Sequence, residues 1–178
     1  SRIAVIKARQ VYATTGCKMV LHQMAYSTPY AAMHAVISMR EDSATSLLDD
    51  NRRWLEDVPA LLKRPIRTKA RAKVVYDDTG ASLQAFTSRS ATGLRSFTPT
   101  AAVISEAAFA PDLEETIAQA DAAVGDGLLI IESTANNPAD FFSTLIRGAP
   151  ENEWHLITMW WWEHPAYEDA PSMIPGDF

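Results

Sequence analysis

With 178 residues, 47% of them hydrophobic and 21% charged, the chain is long enough for one domain with a proper core. A formal net charge of −6 argues against a dedicated nucleic-acid module, and the single Cys17 excludes an internal disulfide or a clustered zinc site. No stretch reaches the roughly 18 consecutive apolar residues of a membrane span, and Ser1 to Lys7 is too short for a secretion signal, so the composition reads as a soluble protein of a reducing cytoplasm.

Ile3 to Lys7 is predicted as a strand, followed by a small and polar loop from Ala8 to Gly16 and a helix from Thr15 through Met24 with Val20, Leu21 and Met24 on its apolar side. After the Pro29 break, His34 to Met39 reads as a second strand, and Asp42 to Asp57 as a helix that Asp42 or Ser43 can cap. Lys73 to Tyr76 and Ser82 to Phe86 flank an Asp-rich turn and read as a hairpin at an edge or in an insertion. The core resumes with a strand at Ala101 to Ser105, a helix opened by Pro111 and running to about Ala123, and a strand at Leu128 to Ile131. A helix from Pro138 to Ile146 and a strand from Trp154 to Trp160 complete five core strands separated by helices, the pattern of an α/β, three-layer, mostly parallel sheet.

In such a sheet, ligands sit at the C-terminal strand ends, so the loops that follow the strands are the places for chemistry. Lys7 to Thr15 places positive charge, small residues and two hydroxyls before a helix N-terminus, where free amides and the helix dipole favour phosphate; an ordinary surface loop is the competing reading. The usual glycines are missing, with Tyr12 and Ala13 in their place, and the displaced pair Gly16 and Lys18 is followed by Met19 rather than a hydroxyl. Val103 to Ser105 ends in Glu106, and Leu128 to Ile131 ends in Glu132, Ser133 and Thr134; of these acids, Glu106 reads as the catalytic candidate and Glu132 as structural. Between Lys63 and Lys73 lie six basic residues and no acid, a patch that suits solvent, DNA phosphates or an acidic neighbouring subunit. The four histidines show no metal spacing, no Gly-x-Ser-x-Gly elbow supports acyl transfer, and Trp160 to Trp162 reads as core packing or a docking surface.

Taken in order, these segments resemble the ATPase domain of the large terminase subunits of tailed bacteriophages, the DNA-packaging motors. Lys7-Ala8-Arg9-Gln10-Val11 with Thr14 and Thr15 is similar to their variant phosphate loop, Ala35 to Ser38 with Asp42 to Ala44 to their second strand and helix, and Gly93-Leu94-Arg95 to their arginine-bearing loop. Val103 to Phe109 is similar to the acidic strand motif, Ile131 to Ala135 to the coupling motif, and Trp162 to Tyr167 to the segment that closes the domain.

The resemblance implies a RecA-like P-loop NTPase fold of the ASCE type over residues 1–178 as a single ATPase domain, with the nuclease half and the adenine-contacting segment outside the chain. It implies a Mg-dependent ATPase that uses ATP and Mg2+ to drive double-stranded DNA into a capsid. The expected partners are DNA, the portal, the small terminase subunit and sister copies in a ring, in the bacterial cytoplasm and with no membrane. Lys7 would neutralise the β- and γ-phosphates, with Arg9 as the second choice; Gln10 would orient phosphate or adenine. Thr14 would hold magnesium with Ser105, while Thr15 binds nucleotide or, the preferred reading, caps the helix. Glu106 would position water, Arg95 would stabilise transition-state charge in its own subunit or across an interface, and Ser133 and Thr134 would sense the γ-phosphate. The family pattern has Asp immediately before the catalytic Glu, where this chain has Ser105. That departure leaves open a nucleotide-binding assembly module without turnover, and the basic segment leaves open a DNA-binding module.

Overall fold

A computed structural model describes residues 1–88, 94, 96–149 and 151–163. Its elements are β1 (Arg2–Lys7), α1 (Ala13–Ser27), β2 (Met33–Ser38), α2 (Glu41–Asp57), β3 (Ile66–Ala70), β4 (Lys73–Tyr76), β5 (Ser82–Thr87), β6 (Pro99–Ser105), α3 (Leu113–Val124), β7 (Leu128–Ser133), α4 (Phe141–Arg147) and β8 (His155–Met159). Eight strands form one sheet in the order β3-β4-β5-β2-β6-β7-β1-β8. From β5 to β8 every pairing is parallel, and the β3–β4 and β4–β5 pairings are antiparallel, so β4 alone runs against the other strands.

Alternation along each central strand sorts its side chains between two helical layers. Val5, Val36, Ala101, Val103 and Ile130 pack with Leu21 and Ala25 of α1 and with Leu48 and Leu55 of α2. Ala4, Ala35, Ile37, Ala102, Ile104, Leu129 and Ile131 pack on the opposite face with Leu113 and Ile117 of α3 and with Phe142 and Leu145 of α4. The same alternation sends Lys7, Ser38, Ser105 and Glu132, at the C-terminal tips of four strands, to the α1 side.

The turn into β7 is held by two glycines for different reasons. Gly125 ends α3 at φ 56°, a left-handed conformation that costs a residue with a Cβ about 1 kcal/mol or more, and a Cβ on Gly127 would meet the Thr100 carbonyl oxygen at 2.2 Å.

Several elements differ from the sequence expectation. The second arm of the hairpin is not peripheral: β5 pairs in parallel with β2, so it lies inside the sheet. The unpredicted β3 falls in the basic segment, where charged side chains suit the last strand of a sheet because they discourage further pairing. Neither Asp42 nor Ser43 caps α2, whose N-cap is Arg40 without a side-chain bond. The Trp160 to Trp162 run does not enter the core: Trp160 and Trp162 stack at 5.2 Å on the surface after β8, and Trp162 is exposed.

Candidate nucleotide site

The cluster at the strand tips is centred on Glu132. Its carboxylate is fully buried, and one oxygen, Oε1, accepts from Thr14 Oγ1 at 2.9 Å and from Ser105 Oγ at 2.5 Å. The other oxygen, Oε2, lies 3.3 Å from Lys7 Nζ in an ion pair and takes no hydrogen bond from the described residues. Four elements contribute one group each: β1 brings the cation, the first turn of α1 a hydroxyl, β6 a second hydroxyl and β7 the acid. Adjacent strands make this possible, since Ser105 and Glu132 are partners in the β6–β7 ladder and Val5 opposes Glu132 in the β1–β7 ladder.

The loop joining β1 to α1 turns without glycine. Ala8 donates its amide to the Met159 carbonyl at 2.8 Å, pinning the loop to β8, and buried Val11 anchors its middle. Gln10 and Tyr12 both adopt left-handed backbone, at φ 60° and 57°, the conformation that glycine fills without strain. Strained residues of this kind gather at ligand-binding loops. Tyr12 is the N-cap of α1 and makes no side-chain cap bond, and the helix has no acidic residue of its own in the first turn; the acid at its start is Glu132 of β7, which accepts from Thr14. Thr15 is therefore not the cap, because it lies inside the first turn. Lys18 does not serve the loop either; it is buried and ion-paired with Asp50 of α2.

The donor set fits a magnesium nucleotide. Magnesium takes oxygen ligands and keeps several waters, so it needs one carboxylate, a hydroxyl and phosphate oxygens rather than a protein cage. The described residues contain no cluster of three or more His, Cys, Asp or Glu placed to hold a metal.

No protein-family model and no curated sequence matches the chain. Solved structures do match in fold. The large terminase ATPase domain of Thermus Phage P74-26 superposes with a TM-score of 0.65 at 16% identity, over 98% of this chain and 84% of that one. A large terminase from a thermophilic bacteriophage, solved in complex with ATP-gamma-S, gives 0.74 at 12% identity over 99% of this chain and 45% of its own. The HK97 bacteriophage large terminase gives 0.68 at 16% identity over 89% and 35%.

The chain has the fold of a large-terminase ATPase domain. It spans less than half of the two longer large terminases it matches. Arg9 and Gln10 are exposed on the loop, and Thr134 is half-buried just beyond β7, all near the strand tips but outside the hydrogen-bonded cluster. Glu106 directly follows Ser105, is exposed, and holds a left-handed backbone at φ 55°.

Ser133 lies on the other face. Buried on the α3 side, its hydroxyl accepts the Ala108 amide at 3.1 Å, and Asn136 donates to the Ala108 carbonyl at 3.1 Å. It does not line the Lys7 cluster; it ties the segment after β7 to the turn after Glu106. A cleft of 690 Å³ beside Ala108, Asp112, Asp140 and Phe142 lies on that face as well, and none of Lys7, Thr14, Ser105 or Glu132 lines it. Arg95 and Gly93, like residues 164–167 of the closing segment, lie outside the described residues.

Two further features bear on the alternatives. The basic segment is partly neutralised: Arg64 donates to both oxygens of Asp78, at 2.8 and 2.6 Å, beneath the Tyr26 and Tyr76 rings, and Arg71 pairs with Asp42. Cys17, next to Lys18 in α1, is buried, and its thiol is pushed up to about 11, chiefly by desolvation and secondarily by the Glu132 carboxylate. Glu132 is the residue the sequence reading left as structural. Its signal was present as an acid at the end of an apolar run, but the run is shared by both candidate strands and only the ladder decides which tip meets Lys7.

Proposed function

We propose that this chain is the ATP-hydrolysing motor domain of a phage large terminase, which uses magnesium-ATP to move double-stranded DNA into a capsid in the infected host cell. The observation that carries the reading is the convergence of Lys7, Thr14, Ser105 and Glu132 at the N-terminus of α1 in a large-terminase fold. In this reading Lys7 leaves Glu132 to pair with the β- and γ-phosphates, the first-turn amides of α1 cradle them, and Thr14 contributes an oxygen to the metal. Bound magnesium would supply charge neutralisation across the phosphates. Glu106, exposed beside the cluster, would accept the proton of the attacking water, and Arg95 would stabilise the developing charge. The tie from Ser133 and Asn136 to the Ala108 turn gives the loss of phosphate near Glu106 a physical route to the segment after β7. DNA, the portal, a small terminase subunit and sister copies are the partners of this role, and a nuclease domain belongs to the longer protein.

The test is calorimetric titration of magnesium-ATP into the intact chain and into Lys7→Ala, with phosphate release followed on the same samples. Binding that depends on Lys7 together with release is expected. Binding without release would reduce the role to a nucleotide-binding assembly module, and absence of binding would refute the site.

A further inference from the structure

We infer that Glu132 supplies the magnesium-holding carboxylate of this domain, an acid relocated from the β6 tip to the neighbouring strand β7. The inference rests on the nucleotide reading above. Position 105, just before the exposed Glu106, carries a hydroxyl where a carboxylate would meet the metal. Across the β6–β7 ladder its partner is Glu132, and the two side chains share one face of the sheet. Neighbouring strands lie about 4.8 Å apart, a gap that a glutamate side chain spans. The Ser105 Oγ to Glu132 Oε1 distance of 2.5 Å places the carboxylate against the spot that a side-chain oxygen of residue 105 occupies.

The hydrogen-bond inventory points the same way. Thr14 and Ser105 each spend their single proton on Glu132 Oε1, which leaves their oxygen lone pairs for a cation. Among the described residues, buried Oε2 has no hydrogen-bond donor and is balanced only by Lys7 at 3.3 Å. A buried carboxylate oxygen without a donor is costly, and it becomes useful when Lys7 turns to phosphate and a divalent cation replaces it. Lys7 and the metal thus exchange places on Glu132, so the carboxylate stays paired in both states.

The test compares ATP affinity with and without magnesium in wild type, Glu132→Gln, Ser105→Asp/Glu132→Gln and Ser105→Asp, with folding checked by circular dichroism. In Glu132→Gln the affinity gain due to magnesium should fall by about 10- to 100-fold, while metal-free ATP binds as well or better because Lys7 is released. The double variant should regain the gain, since the acid returns to position 105. An unchanged magnesium gain in Glu132→Gln, or equal weakening with and without the metal, would overturn the inference and leave the nucleotide site standing. No ATP binding by wild type would overturn both. Should Glu132→Gln not fold, Mn2+ with ADP on the wild-type chain decides: the Thr14, Ser105 and Glu132 amide resonances should broaden first, and their sparing would refute the placement.

Discussion

Lys7 Nζ and Glu132 Oε2 are 3.3 Å apart, with the acid fully buried and the lysine nearly so. Removing one member of such a pair strands the other charge in the interior, so Lys7→Met should lower unfolding free energy by about 3 kcal/mol. Two hydroxyls still solvate Glu132, which keeps the loss at the low end. Lys7→Met/Glu132→Gln should recover most of it, and urea denaturation of the four chains closes the cycle. Additive losses would mean that the two charges are not coupled.

Glu106 separates strain from chemistry. Its left-handed backbone is uncomfortable for a residue with a Cβ, so Glu106→Gly should raise stability by up to about 1 kcal/mol. Glu106→Gln keeps the backbone cost and should leave the melting temperature and magnesium-ATP affinity unchanged while phosphate release falls on the order of 100-fold. Thermal melts and a phosphate-release assay read the two effects independently.

Cys17 should be nearly inert in the native chain. Moving its thiol from 9.0 to about 11 lowers the thiolate fraction near neutral pH about 100-fold, and burial blocks access as well. A disulfide-exchange reagent at pH 8 should label it at normal speed only after unfolding. Rapid labelling of folded protein would show that α1 opens around Cys17.

His34, in the sheet interior, and His22, on α1, are both held below the ordinary value of 6.5, in each case by desolvation; at His34 the Ser82 backbone opposes weakly. A depressed histidine means that the unfolded chain binds more protons below about pH 6.5, so stability is complete above that pH and declines beneath it. The melting temperature should therefore drop between pH 7 and pH 5. His34→Leu should make that decline shallower, and an unaltered slope would assign it to other groups.

Much of the architecture was legible from local pattern. Ala101 to Ile104 and Leu128 to Ile131 are apolar on both faces because helices cover both sides of the sheet, and short runs of that kind read as central strands without knowing their neighbours. The antiparallel β3 was not legible, since Ile66 to Ala70 carries two charges, Arg67 and Lys69, that suit an edge and equally suit a loop. Likewise, the missing glycines of the loop after β1 hid its geometry, because Gln10 and Tyr12 accept left-handed backbone only where the surrounding contacts hold them there.

What the sequence by itself determined is the order of the strands and helices other than β3, the polar strand ends and the basic loop before α1, all of which follow from the periodicity and chemistry of neighbouring residues. Which of those ends meet was decided in three dimensions. The order β6-β7-β1 places Glu132 between Ser105 and Lys7, and alternation along β7 turns Glu132 toward α1 and Ser133 toward α3. Two consecutive residues thereby acquire unrelated roles, because a side chain's face is set by its register against other strands, and register is a property of the assembled sheet.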